Sequence, residues 1–193
     1  MKELKTDNYG PLTKELLAKA WAEGRPRSLK FGPPAADAQT LLQGMTDQNI
    51  SSNRRVRMPH DAAALQSALW LLFDFFEDSH NISQNIATPS GSYWHGILHR
   101  REPDAGNAKY WMARVGEHPI FPDMLSDAKE IAAKAGPSGA GVLKQLEAMA
   151  TWDASWFVEQ CTGGNEQMTL LLLELQRREW QLLFDYNFSK AFA

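Results

Sequence analysis

Two histidines of this chain have the spacing of a metal-ligand pair on one face of a helix. His95 and His99 are four residues apart, and Glu102 follows three residues later. On an α-helix, residues at i, i+4 and i+7 lie along the same face. Two imidazoles one turn apart can reach the same ion, which is the physical basis of His-x-x-x-His ligand pairs. The pattern therefore predicts a catalytic group made of His95, His99 and Glu102, in which the two histidines can also bind a metal.

Further ligand-type residues come before and after this group. Glu77 and His80 are at i and i+3, a spacing that also places two side chains on one helix face. Helical carboxylate metal sites use a Glu-x-x-His pair twice, whereas this chain has it once. We expect Glu77 and His80 to complete a divalent-metal site with His95 and His99. His118 precedes a proline in a turn, where its imidazole could point back at the other two.

Two other interpretations fit the same histidines. Imidazole has a pKa near neutral pH, so His95 and His99 could transfer protons without a metal. They could instead be hydrogen-bonded core groups packed among Trp94, Tyr110 and Trp111, in a non-catalytic helical binding or structural module. The sequence leaves these alternatives beside the metal site.

A glycine lies between the two histidines, inside the predicted helix. Gly96 costs about 1 kcal/mol relative to alanine at such a position. A cost of that size indicates that a ligand or another backbone approaches closely. Tight packing of one helix on another is the alternative.

Arginines and aromatic residues beside the histidines indicate an anionic or polar partner. A guanidinium can bind a carboxylate or phosphate through two parallel hydrogen bonds. We expect the substrate-binding residues to be Arg100, Arg101, Tyr110, Arg114 and Trp94. For the charged cluster that includes Arg100 and Arg101, a surface ion-pair network is the alternative.

A string of residues through this segment resembles a family signature. The string is Trp94-His95-Gly96, His99-Arg100-Arg101-Glu102-Pro103-Asp104, Asn107-Ala108-Lys109-Tyr110-Trp111, Arg114-Val115-Gly116 and His118-Pro119. It resembles the signature of an uncharacterised family of hypothetical proteins. The resemblance implies no catalytic roles and supports treating residues 92–119 as one unit.

The elements that must position these residues are helical. No alternating strand pattern persists, and apolar residues recur at helical intervals in several segments. The sequence predicts an all-α fold, an irregular helical bundle that forms a single domain over residues 1–193. Its two long core helices are expected at about 61–80 and 166–187.

Two short helices are expected to carry the chemistry-bearing segment. Ser92 is the candidate N-cap of a helix from Tyr93 to about Arg101, and Pro103 ends it. Asn107 is the candidate cap of the next helix. The segment is therefore predicted to be two helices joined at a charged elbow.

Composition excludes several classes of function. The net charge of −3 argues against a nucleic-acid partner, and the single cysteine indicates a reducing compartment, hence a cytoplasmic location. The N-terminus lacks the apolar core of a signal peptide, and the longest apolar run, residues 170–173, is too short to span a membrane. The aromatic C-terminal residues predict either packing on the domain or a homodimer contact.

Two hypotheses about function follow. The first is an enzyme, with a divalent metal ion as its candidate cofactor, that acts on a small polar or anionic molecule. The second is the non-catalytic module, in which the histidines are buried hydrogen-bonded core groups.

Overall fold

Eleven α-helices build the part of the chain that the computed structural model describes, residues 6–163 and 168–192. They are α1 (Pro11–Ala22), α2 (Gln39–Gln43), α3 (Asp47–Ser51), α4 (Pro59–Leu72), α5 (Phe76–Ser83), α6 (Pro89–Arg101), α7 (Ala105–Val115), α8 (Phe121–Lys134), α9 (Ala140–Glu147), α10 (Ala154–Thr162) and α11 (Thr169–Ala191). Within these ranges the only β-type pairing is an isolated bridge between Val56 and Phe192. The all-α prediction is confirmed.

Helix α6 lies at the centre of the bundle. Every residue from Ser90 to Arg101 is buried, and the helix packs against α4, α5, α7 and α10. A helix that is buried on all sides must satisfy its polar side chains inside the protein. The histidines and arginines of this segment therefore have protein partners, which the sequence alone does not reveal.

Helix α11 is the second long core element, and it packs against α4, α8 and α10. It ends at Ala191, four residues beyond the predicted end, and the predicted start near residue 166 lies outside the described residues. Trp180, Phe184 and Phe188 on this helix are buried, and Phe192 after it is too. The C-terminal aromatic residues thus pack on the domain, and a homodimer stays a prediction. No helix in the described ranges combines the length and the apolar character needed to cross a membrane.

The predicted helix over residues 61–80 is two helices with a corner between them. Helix α4 ends at Leu72 and α5 begins at Phe76, and Asp74 between them has a left-handed φ of 67°. The Asp74 carboxylate accepts hydrogen bonds from Arg25 Nη1 at 2.8 Å and from Arg101 Nη2 at 2.6 Å. Aspartate tolerates this conformation better than most residues. The prediction of one continuous helix was wrong because these arginines come from distant parts of the chain.

The caps around α6 also differ from the prediction. Thr88, not Ser92, caps α6: its side chain accepts a hydrogen bond from Gly91 N at 3.1 Å, and Pro89 is the first helical residue. The helix ends at Arg101, as the proline at position 103 predicts. Asp104, not Asn107, caps α7, because its Oδ1 accepts from the backbone N–H of Asn107 at 3.0 Å.

Candidate functional site

Three histidines from two helices converge on one point. His80 comes from α5, and His95 and His99 come from α6, which packs against α5. One nitrogen from each ring lies within 4.8 Å of a nitrogen of each of the others. His95 and His99 are almost fully buried, and His80 is half-buried. The corner at Asp74 sets the direction of α5 and so determines where His80 reaches.

The two histidines of α6 face each other through the same ring nitrogen. His95 Nε2 lies 3.0 Å from His99 Nε2. The ring centroids of these two residues are 4.6 Å apart, and the His80 ring lies 4.7 Å from His95 and 5.6 Å from His99. The helical spacing of four residues therefore does place both imidazoles at one location.

The outer ring nitrogens of the α6 histidines are held by oxygen atoms. His99 Nδ1 lies 2.8 Å from Glu102 Oε2, and His95 Nδ1 lies 2.8 Å from Ser83 Oγ. An ionised carboxylate only accepts hydrogen bonds, so a neutral His99 that bonds Glu102 in this way carries its proton on Nδ1 and its lone pair on Nε2. Such outer partners are what fix the orientation of metal-ligating histidines.

The direction in which the Ser83 hydroxyl donates determines whether His95 Nε2 presents a proton or a lone pair to His99 Nε2. The hydroxyl lies 2.9 Å from the backbone oxygen of Ser79 as well as 2.8 Å from His95 Nδ1. If it donates to Ser79, His95 Nδ1 donates to Ser83, and two Nε2 lone pairs face each other, an arrangement that a cation would stabilise. If it donates to His95, the Nε2–H of His95 donates to His99, and the chain of hydrogen bonds is complete without a metal.

Burial keeps His95 neutral. The pKa of His95 is lowered to about 3, mainly by burial and further by the neighbouring His99 and His80. A metal-ligating imidazole must be deprotonated at the ligating nitrogen. His95 therefore meets this requirement throughout the physiological pH range.

Other side chains enclose the cluster. The His80 ring stacks on Phe76 at 5.5 Å, and the Trp111 ring lies 4.3 Å from His95. The Asn107 amide nitrogen is 3.1 Å from His99 Nε2 and 3.3 Å from Nδ1. Because these two distances are nearly equal, the amide lies beside the imidazole and not along one lone pair. The three imidazoles thus lie between aromatic rings on one side and the Asn107 amide on another.

Gly96 serves helix packing. A Cβ at this position would lie 2.8 Å from Cε and 2.9 Å from Sδ of Met112, on α7. Real Cβ contacts are longer, so the glycine lets α7 approach α6 closely. Of the two explanations that the sequence left open, the structure supports packing.

Three carboxylates near the histidines have different positions. Glu77 is exposed and does not belong to the group formed by the three histidines. Glu102 turns back to His99, although its side chain remains 44% exposed. Asp104, also exposed, forms a second potential ligand group with His99 and Glu102, but its carboxylate already caps α7.

Arg100 lies in the core and not at a substrate site. Both of its terminal nitrogens bind the Glu179 carboxylate, at 3.1 and 2.5 Å, and its guanidinium covers the Phe157 ring at 4.3 Å. Tyr93 donates a further hydrogen bond to Glu179 at 2.9 Å. Arg100 does not belong to a surface ion-pair network either, which was the alternative interpretation, because the side chains of Arg100 and Glu179 are fully buried.

Trp94 is also internal. It is fully buried, and its Nε1 donates to Asn187 Oδ1 at 2.8 Å. It joins α6 to α11 and cannot contact a substrate from this position. The expectation that it binds substrate is corrected accordingly.

Arg101 is buried but borders a surface cleft. Its Nη1 donates to the Leu71 oxygen at 2.7 Å and its Nη2 to Asp74, while the guanidinium covers the Phe31 ring at 4.5 Å. Its Nε has no hydrogen-bond partner among the described residues. Arg101 is only 2% exposed, and its Nε–H is thus a buried donor without a hydrogen-bond partner among the described residues.

Tyr110 and Arg114 form the outer rim of this region. Both are exposed, and Arg114 Nη1 lies 3.4 Å from the Tyr110 hydroxyl. The Arg114 guanidinium also lies 5.1 Å from the ring of Trp111, which contacts His95. The structure thus places this pair one residue layer outside the histidines.

His118 is separate from the cluster. Its Nε2 lies 3.1 Å from Ser90 Oγ, and its Nδ1 accepts from the backbone N–H of Ile120 at 3.4 Å. Its ring contacts Tyr186 at 4.8 Å and Tyr93 at 5.6 Å. It does not point back at the other histidines as the sequence suggested.

The environment of His118 makes the fold acid-sensitive. Burial lowers its pKa from 6.5 to about 4, so below pH 6.5 the unfolded chain binds more protons than the folded one. Stability from this residue is full above pH 6.5 and is lost as the pH falls towards 4, by about 2 kcal/mol at pH 5. Thermal melts at pH 7 and 5 should show a smaller drop for His118→Gln than for wild type. His60→Gln, at an exposed position, should behave as wild type; an unchanged drop in His118→Gln would contradict the assignment.

Sequence reasoning missed Ser83 and the part that Asn107 plays beside His99. Ser83 lies three residues after His80, on the same face of α5, and this spacing was the available signal. Asn107 belongs to the next helix, and nothing in the local pattern connects it with His99. Both residues belong to the immediate surroundings of the cluster.

Comparisons with family models, curated proteins and solved structures find no match to this chain. They therefore do not bear on the resemblance of residues 92–119 to an uncharacterised family, which stays a prediction.

Proposed function

We propose that this protein binds one divalent transition-metal ion through His80, His95 and His99 and acts as a metal-dependent enzyme on a small polar or anionic molecule. The convergence of the three imidazoles, with ligand atoms within 4.8 Å of one another, carries this proposal. Imidazole is a ligand that suits zinc, copper, iron and nickel. Zinc is the ion that we would test first.

The distances support a zinc-like ligand set. Zinc–nitrogen bonds of about 2.0–2.1 Å in a tetrahedron separate two ligand nitrogens by about 3.3 Å. The His95 and His99 Nε2 atoms are 3.0 Å apart, so a small outward shift of either ring would accommodate the ion. The hydrogen bonds from the outer nitrogens to Ser83 and Glu102 would keep both rings aimed at it.

Three protein ligands are the number that catalytic zinc sites use. A zinc ion held by His80, His95 and His99 would lower the pKa of a bound water to about 7 and so would supply a nucleophile near neutral pH. Glu102 would fix the orientation and tautomer of His99 through Nδ1. A cytoplasmic location and the absence of a nucleic-acid partner remain predictions from composition.

The second candidate function is the non-catalytic module. The hydrogen bonds from Ser83 through His95 and His99 to Glu102 favour it, because every donor in this chain can find an acceptor without a metal ion. In that case the histidines only lock α5 and α6 together. It predicts that no metal binds and that His95→Ala and His99→Ala loosen the fold, by about 1–3 kcal/mol for each buried polar group left unpaired.

Zinc titration of the chelator-treated protein tests the proposal. We expect one zinc per chain by elemental analysis after gel filtration. At a free zinc concentration about 100 times the dissociation constant, binding adds about 2.7 kcal/mol and raises Tm by roughly 5–10 °C. Failure to retain zinc, together with a Tm that neither zinc nor chelator changes, would falsify the proposal.

A further inference from the structure

The side chains around the three histidines leave one side of the cluster partly open. His80, Asn107 and Trp111 are half-buried, whereas His95 and His99 are almost fully buried. The three half-buried residues come from α5 and α7, which both pack against α6. A catalytic zinc site with three protein ligands keeps its fourth position for water or substrate. A molecule that takes this position would have to enter from the partly open side.

Asn107 is a polar residue on this side that lies against a nitrogen at the centre of the cluster. Its Nδ2 is 3.1 Å from His99 Nε2, the nitrogen that also faces His95. Ser83 and Glu102, by contrast, contact the outer ring nitrogens. Within the described chain, the Asn107 side chain has no hydrogen-bond partner other than the His99 ring. The amide thus lies beside the place of the proposed ion, with donors that no other described group uses.

With a metal ion bound, the His99 ring has no acceptor left for this amide. The ion would occupy Nε2, and Nδ1 donates to Glu102, so neither ring nitrogen could accept from Asn107. The 3.1 Å separation and a zinc–nitrogen bond of about 2.1 Å together place the ion at most about 5 Å from Asn107 Nδ2. A zinc–oxygen bond of about 2.1 Å and a hydrogen bond of about 2.9 Å span this distance. An oxygen atom at the fourth position therefore lies within reach of the Asn107 amide.

We propose that Asn107 is a specificity-determining residue of the metal site. Its Nδ2–H donates a hydrogen bond to an oxygen atom at the fourth position, and this favours molecules that offer a carbonyl, carboxylate or phosphoryl oxygen to the ion. Molecules that bind only through nitrogen or sulfur gain no such hydrogen bond. The inference rests on the proposed function, because without the metal there is no fourth position. It narrows the substrate class to small molecules with an oxygen donor.

Anion binding to the cobalt-loaded protein tests the proposal. Acetate and thiocyanate carry the same charge, but only acetate offers oxygen, and either anion should change the visible cobalt spectrum when it binds the ion. Asn107→Leu should weaken acetate binding about tenfold, as expected for a lost hydrogen bond to a charged group, and should change thiocyanate binding by less than about threefold. Asn107→Ala should show the same pattern, which would exclude a steric effect of the leucine. Asn85→Leu, at another exposed asparagine, is the matched control and should bind both anions as wild type does.

The outcomes separate this inference from the metal proposal. A wild-type protein that retains neither zinc nor cobalt overturns both. Wild-type protein that binds cobalt but not acetate, or a preference for acetate over thiocyanate that neither variant changes, overturns the inference and leaves the metal site standing. Cobalt affinity that falls more than about 100-fold in both variants would make Asn107 Oδ1 a fourth metal ligand, and this also overturns the inference.

Discussion

Replacing His80 with alanine should weaken zinc binding by more than about 100-fold while the metal-free protein stays nearly as stable as wild type. Loss of an outer partner of a metal ligand costs about 10- to 100-fold in affinity, and loss of a ligand itself should exceed that. The His80 side chain is half-buried, contacts Phe76 and His95 through its ring, and forms no hydrogen bond among the described residues. Its removal should therefore change the metal-free stability by less than about 1 kcal/mol.

This variant distinguishes the metal site from the non-catalytic module, because the metal-free chain of hydrogen bonds from Ser83 to Glu102 does not include His80. Zinc affinity by competition with a chromogenic chelator and thermal melts without metal are the two measurements. His60→Ala, at an exposed position at the start of α4, is the matched control and should bind zinc as wild type does. His99→Ala should lose zinc and also stability, since it leaves His95 without its Nε2 partner. Wild-type affinity in His80→Ala would show that His80 is not a ligand.

Replacing Arg100 with methionine should destabilise the protein by about 3–5 kcal/mol, which lowers Tm by roughly 10 °C. The change leaves the Glu179 carboxylate buried with only the Tyr93 hydroxyl as a described partner. An unpaired buried charge is far more costly than the loss of an ordinary contact. Urea unfolding of the single variant measures the effect.

The matched variant removes both charges. Arg100→Met combined with Glu179→Leu removes both charges of this buried pair, and such apolar replacements are often neutral or stabilising. The Tyr93 hydroxyl loses its hydrogen bond to Glu179 in this variant, which offsets part of the gain. We expect the double variant to regain most of the stability that the single variant loses. A double variant as unstable as the sum of both single variants would show that the two residues act independently. Zinc binding should persist in the double variant, because neither residue belongs to the histidine cluster.

The sequence predicts the helical class and the proximity of His95 and His99 because both depend on local periodicity. His95 and His99 are one turn apart, and any regular helix through them brings their side chains together. Trp111 and Val115 face inward while Tyr110 and Arg114 face solvent, as their positions on α7 indicate. These features need no knowledge of the tertiary structure.

The partners of the arginines could not be predicted, because they are far away in sequence. Glu179 lies 79 residues after Arg100, and Asp74 lies 27 residues before Arg101. Consecutive arginines at a helix end look like a solvated cluster unless the surrounding helices are known. The burial of α6 on all sides turns both into internal ion-pairing residues.

Local sequence patterns could not predict that His80 and not Glu77 lies beside the histidines of α6. The spacing places both side chains on one face of α5, yet only His80 reaches His95 and His99, and Glu77, one turn earlier, is exposed. The direction of α5 decides the matter, and that direction depends on the corner at Asp74. No glycine or proline marks this corner in the sequence.

The corner at Asp74 also bears on the order in which the chain assembles. Its left-handed conformation is unfavourable for an isolated peptide, by roughly 1–2 kcal/mol, so the local sequence alone favours a straight helix through residues 59–83. The two guanidinium groups that hold the corner come from positions 25 and 101, and they arrive only when those segments dock. We therefore expect His80 to take its place beside His95 and His99 only once those segments have docked. On the proposed function, a nascent or partly folded chain would lack the three-ligand set and would acquire its metal only after folding.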